Sequence, residues 1–193
     1  MNNSIVKLNV PSIKAAFDYS CSERALASYI QFKTNGEITF TPKDYNKMGC
    51  DSIFTISKCL TKYMSLYNKK KTEYVLIKSN ITFKTQYLNI DKWRNVIRYC
   101  IDQSEPMIVS VIPNSNWENY IKRKRNYESV LHTILITGYI LPQINYILIH
   151  DRNPFEKRDL LDFIKISART NHTFVIPMKL FYLFEKKFEI VKD

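Results

Sequence analysis

The sequence predicts an α+β protein in which a helical amino-terminal part, about residues 1–72, packs on an antiparallel, strand-rich part, about residues 73–193. Three observations predict it. Apolar residues recur at helical spacing in the first third of the chain. Beyond residue 73, short β-branched and aromatic runs take over. Two of those runs are joined by a short loop containing Pro142 and Gln143, which reads as a hairpin. No internal repeat, low-complexity tract or proline-glycine linker interrupts the 193 residues, so they read as one domain.

The elements follow in order. Ser20-Cys21-Ser22-Glu23 fits a capping box, a hydroxyl followed three residues later by a glutamate, ahead of apolar Ala25, Leu26, Tyr29 and Ile30. It predicts a helix from about Cys21 to about Lys33. Ile53, Ile56, Leu60 and Met64 predict a second helix from Asp51 to about Tyr67. Val96, Ile97, Cys100 and Ile101 share one face of a third, from Asp91 to about Gln103. Strands are predicted at Tyr74–Ile77, Met107–Ile112, His132–Ile140 and Tyr146–Asp151. A short helix follows at Asp159–Ala168 and a further strand at Phe174–Ile176. Lys179–Lys192 alternates aromatic and basic residues and fits either helix or strand.

Composition narrows the function. With only Gly36, Gly49 and Gly138, the chain lacks the glycine-rich loops that cradle phosphates, so nucleotide chemistry is not expected. Cysteines 21, 50, 59 and 100 form no Cys-x-x-Cys pair and have no histidine at finger spacing, so no metal and no cofactor is expected. The first residues carry no apolar signal core, and no run of about 18 apolar residues occurs; the expectation is a soluble, cytoplasmic protein with reduced thiols. The sequons at Asn80 and Asn171 then carry no weight. The net charge of +11 gathers at Lys69-Lys70-Lys71 and at Lys122-Arg123-Lys124-Arg125. Such a field attracts polyanions, whether nucleic acid, an anionic membrane or an acidic partner protein, beside the bland reading of a solvated surface; Lys122 to Arg125 are the candidate partner-binding residues. No nucleic-acid-binding signature accompanies them.

Three features carry chemistry together. Cys21 opens a predicted helix, where free backbone N–H groups and the positive end of the helix dipole favour a thiolate. His132 opens a predicted strand, a rigid mount for a base. If the hairpin turns near Pro142 and Gln143, His132 lies opposite Asp151 or Asn153, either of which can fix the imidazole. Each has a bland reading alone: a buried filler thiol, a core histidine, a turn-capping aspartate. Together each supplies a role the others need. Cys59 and Cys100 sit on apolar helical faces and read as core, Cys50 lacks any catalytic setting, and His150 and His172 read as structural. Trp93 and Trp117 fit a core or interface better than a cleft.

Leu8-Asn9-Val10-Pro11 and, ten residues on, Cys-Ser-Glu-Arg-Ala-Leu-Ala from Cys21 resemble the start of bacterial papain-fold peptidases, among them the peptidase domains of bacteriocin-processing exporters. The runs at 106–111, 132–139 and 146–151 resemble their strand before the histidine, histidine strand and aspartate strand. The stretches at 117–127 and 159–169 are more similar to butirosin biosynthesis protein H and its relatives. The resemblance implies a papain-like fold with nucleophile Cys21, base His132 and orienter Asp151, Asn153 being the runner-up. The oxyanion would be met by the Cys21 backbone N–H, with Ser20 or Ser12 as a side-chain donor. Two departures stand out: Ala15 replaces the usual glutamine six residues before the cysteine, and Ser22 the usual glycine after it. The expected function is an acyl-thioester at Cys21 that cleaves an amide or peptide bond. The alternatives are acyl transfer from an acidic carrier protein, a catalytically silent module binding a peptide or an acidic partner, or nucleic-acid binding through the basic runs.

Overall fold

The computed structural model describes residues 4–13, 21–50, 52–77, 86–112, 131–151, 156–168, 170 and 173–188. Their elements are β1 (Ile5–Lys7), α1 (Cys21–Lys33), a 3-10 turn (Pro42–Asp44), α2 (Tyr45–Met48), α3 (Ile53–Asn68), β2 (Tyr74–Ile77) and α4 (Gln86–Asp102). There follow β3 (Met107–Val111), β4 (His132–Ile140), β5 (Tyr146–His150), β6 (Glu156–Asp159), α5 (Leu160–Ala168), β7 (Phe174–Pro177) and α6 (Met178–Phe188).

The strands form a seven-stranded sheet in the order β2-β7-β3-β4-β5-β6, with β1 added on β4. Every pairing described is antiparallel. Side chains alternate across a strand, so a sheet covered on both faces needs apolar residues at every position. The central strands meet that need. Met107, Val109, Val111, Ile134 and Ile136 point into one core, while Ile108 and Leu135 point into the other. The first core is roofed by α4, α5 and α6, through Trp93, Ile97, Phe163 and Phe184. The second is roofed by α1, α2 and α3, through Leu26, Ile30, Tyr45 and Ile56.

α1 lies deepest. Every residue from Ser22 to Ile30 is buried, because the helix is wedged between α3 and β4 rather than laid on the surface. Polar side chains on its first turn are therefore out of water and need protein partners. The thiol helix consequently packs on the antiparallel sheet, as the α+β reading anticipates.

Several boundaries differ from the expectation, for physical reasons. α4 starts earlier, at Gln86. The tail beyond Pro177 is helical, with Leu180, Phe181 and Phe184 buried on one face and Tyr182 and Leu183 exposed. β1, the 3-10 turn, α2 and β6 were not legible as elements, each being three or four residues long. β6 reads Glu-Lys-Arg-Asp, with no apolar alternation at all; pairing with the β5 backbone makes it a strand. β1 docks beside Gly138, where a Cβ would collide with the Val6 carbonyl, so this contact requires glycine.

Candidate active site

Cys21 is the first residue of α1 and is half-buried. Its thiol meets the unpaired N–H groups and positive dipole end of that helix. β4 begins with His132, whose ring is near enough to the Cys21 thiol for its hydrogen-bonding capacity and charge to favour the thiolate. The backbone N–H of Thr133 favours the thiolate in the same direction. Asp151 directly follows β5, buried, with Oδ2 at 2.9 Å from His132 Nε2. With Nε2 engaged by the carboxylate, Nδ1 is the ring nitrogen left to serve the thiol.

The hairpin register explains how Asp151 arrives there. Leu135 faces His150 and Ile136 faces Ile149, with an irregularity before Gly138. With His150 across from Leu135, Asp151 falls beside Ile134, and its carboxylate reaches the His132 ring along the diagonal. Asn153, the runner-up orienter, lies outside the described residues.

The electrostatics couple the Cys21 thiol and the His132 imidazole. Burial pushes the Cys21 thiol up, but the His132 hydrogen bond, the His132 charge and the Thr133 N–H outweigh it, and the thiol sits below its ordinary value. Burial disfavours the His132 imidazolium, yet the charge and hydrogen bond of Asp151, then the bond to Cys21, prevail and push it up to about 10. Thiolate and imidazolium stabilise each other. By contrast, burial drives the thiols of Cys50 and Cys100 far up, which leaves them unreactive.

Two contacts that sequence reasoning missed complete the site. Arg24, one turn beyond Cys21, forms a buried ion pair with Asp151 Oδ1. Ser22 Oγ lies 3.0 Å from Thr133 Oγ1. A signal existed for Arg24: positions three apart share a helix face, so it had to lie beside Cys21.

The other candidates fall elsewhere. Cys59 and Cys100 are buried in the core, as is Trp93, edge-to-face with Phe163 at 5.2 Å. His150 is buried and pushed down to about 4 by burial and then by the Arg24 charge, so it stays neutral. Ser12 is exposed. Lys69, Lys70 and Lys71 are exposed, Lys71 pairing with Glu73. Ala15, Ser20, Asn80, Trp117, Lys122, Arg123, Lys124, Arg125, Asn171 and His172 lie outside the described residues. Among the described residues, no group of three His, Cys, Asp or Glu side chains could hold a metal, and no helix is long and apolar enough to cross a membrane.

No protein-family model matches the chain, and no curated protein matches it. Among solved structures, it is similar to a protein provisionally described as a C39-like peptidase from Bacillus anthracis, at 17% identity and a TM-score of 0.54. The match covers 89% of this chain and 96% of that one. At that identity the likeness speaks for the fold. The fold is papain-like, helices of mixed placement around an antiparallel sheet.

Proposed function

We propose that the chain is a cysteine-dependent enzyme that forms an acyl-thioester at Cys21 and cleaves an amide or peptide bond. The observation that carries this reading is the 2.9 Å contact of buried Asp151 Oδ2 with Nε2 of His132, whose ring in turn favours the thiolate of Cys21. It is the arrangement by which a weak nucleophile is activated, oriented and kept charged. The papain-like fold of the similar structure supports it.

The chemistry runs in two halves. The Cys21 thiolate attacks the carbonyl carbon while the backbone N–H of Cys21, with Ser20 as the proposed side-chain donor, receives the charge on oxygen. As the C–N bond breaks, the His132 imidazolium gives its proton to the departing amine. The acyl group stays on sulfur. His132, now neutral, takes a proton from water as that water attacks the thioester, which releases a carboxylic acid and returns the thiolate–imidazolium pair. Asp151 keeps the ring in place and balances its charge throughout, without taking the proton itself.

The test is a panel of peptide amides, with intact-protein mass spectrometry to catch the acyl-enzyme. The reading expects turnover that disappears in Cys21→Ala and an acyl adduct localised to Cys21. Turnover that survives Cys21→Ala rejects the proposed nucleophile. An absence of both turnover and adduct across the panel favours a silent papain-like binding module instead.

A further inference from the structure

The carboxylate that steadies His132 is shared. Asp151 accepts from the His132 ring at Oδ2 and from the Arg24 guanidinium at Oδ1. The Asp151 side chain is 1% exposed and that of Arg24 is 8%. Arg24 stands on the first turn of α1, on the helix that carries Cys21 at its head. The chain of contacts Cys21–His132–Asp151–Arg24 therefore leaves α1, crosses to β4 and the end of β5, and returns to α1 a single turn from where it began.

We propose that Arg24 is a positioning residue of the Cys21 site, acting through Asp151; the proposal rests on the reading of Cys21 and His132 as nucleophile and base. A carboxylate held by one partner can rotate about its Cβ–Cγ bond. Held by one partner on each oxygen, it cannot. The guanidinium beside Oδ1 also favours the ionised form of this buried carboxylate, which then only accepts. It ties the orienter of the base to the helix that positions the nucleophile, so the two ends of the reacting pair move as one body.

The surroundings of Arg24 leave that work to it. His150 on β5 faces it and stays uncharged, and neither of its ring nitrogens has a hydrogen-bond partner among the described residues. Tyr45 on α2 feels the charges of both Arg24 and Glu23, and its phenol is pushed up to about 12 by burial, so it too is neutral. His132 on β4 carries the positive charge that Asp151 balances from its other side. Without Arg24, Asp151 loses the positive charge held against Oδ1, and protonation of this buried carboxylate becomes easier. A protonated Asp151 no longer holds the imidazolium, and Cys21 keeps its proton to higher pH.

The test follows alkylation of Cys21 by iodoacetamide against pH in wild type, Arg24→Lys, Arg24→Gln, Asp151→Asn and the double variant Arg24→Gln/Asp151→Asn. The expected result is an acid limb displaced upward by about one unit in Arg24→Gln, a tenfold slower reaction at the wild-type midpoint. Arg24→Lys, which keeps a charge, should recover most of it. In the Asp151→Asn background, Arg24→Gln should add no further displacement, a comparison that holds even where the single variant folds poorly. A limb that Arg24→Gln leaves in place or moves downward, or a full extra shift in the Asp151→Asn background, overturns the positioning role alone. A wild-type limb at the position of an ordinary thiol overturns the Cys21–His132 reading, and this proposal with it.

Discussion

The hydroxyls of Ser22 and Thr133 lie 3.0 Å apart, both buried, and so tie the residue after Cys21 to the residue after His132. The glycine usual in the resembling peptidases would leave the Thr133 hydroxyl without that partner. Here the helix head is clamped to the strand by this pair of side chains.

The clamp predicts non-additive stability. Ser22→Ala strands a buried hydroxyl and should cost about 1–3 kcal/mol, as should Thr133→Val, while the double variant should cost clearly less than their sum. Denaturant unfolding of the four proteins measures it. Strict additivity would show that the two hydroxyls do not interact.

Asp151→Ala should destabilise the fold as well as silence the site. It leaves the Arg24 guanidinium buried without its counter-charge, a loss of about 3–5 kcal/mol. Replacing both partners, as Arg24→Met with Asp151→Asn, should recover most of that loss, because no unpaired charge remains. Thermal unfolding reads both, and a double variant as unstable as Asp151→Ala would contradict the explanation.

Gly138→Ala should loosen β1. The added methyl meets the Val6 carbonyl, and either strand must shift, at about 1–3 kcal/mol. Amide exchange should speed up at Leu8, bonded to Thr137 O at 2.8 Å. Unchanged exchange would mean that β1 does not depend on the glycine.

His132 makes a pH prediction whose sign is fixed. Its folded value is raised from 6.5 to about 10, so its contribution to stability is whole below 6.5 and is lost as pH rises through about 10. The stability gap between wild type and His132→Ala should therefore narrow steadily over that window. A gap that widens with pH would contradict the thiolate–imidazolium pairing.

Much of this was legible because local chemistry and tertiary position agreed. The hydroxyl-to-glutamate spacing at 20–23 marked the α1 start at Cys21, and the apolar run after His132 marked β4. Hairpin geometry brought Asp151 within range of His132, although its bulge near Gly138 could not be counted from the loop. What stayed hidden depends on contacts between distant segments. Nothing in Glu-Lys-Arg-Asp announces β6, since its strand comes from the edge of β5. Arg24 reads as an ordinary helix-surface charge until α1 is seen to be buried all round.

The most direct measurement is the ultraviolet absorbance of the Cys21 thiolate followed against pH, in wild type and in His132→Ala. The account predicts a thiolate in wild type well below the ordinary thiol range, which returns to that range or above it once the imidazole is gone and only burial is left. A titration that is the same in both proteins would mean that the thiol and the imidazole do not share a proton, and the proposed chemistry would fail.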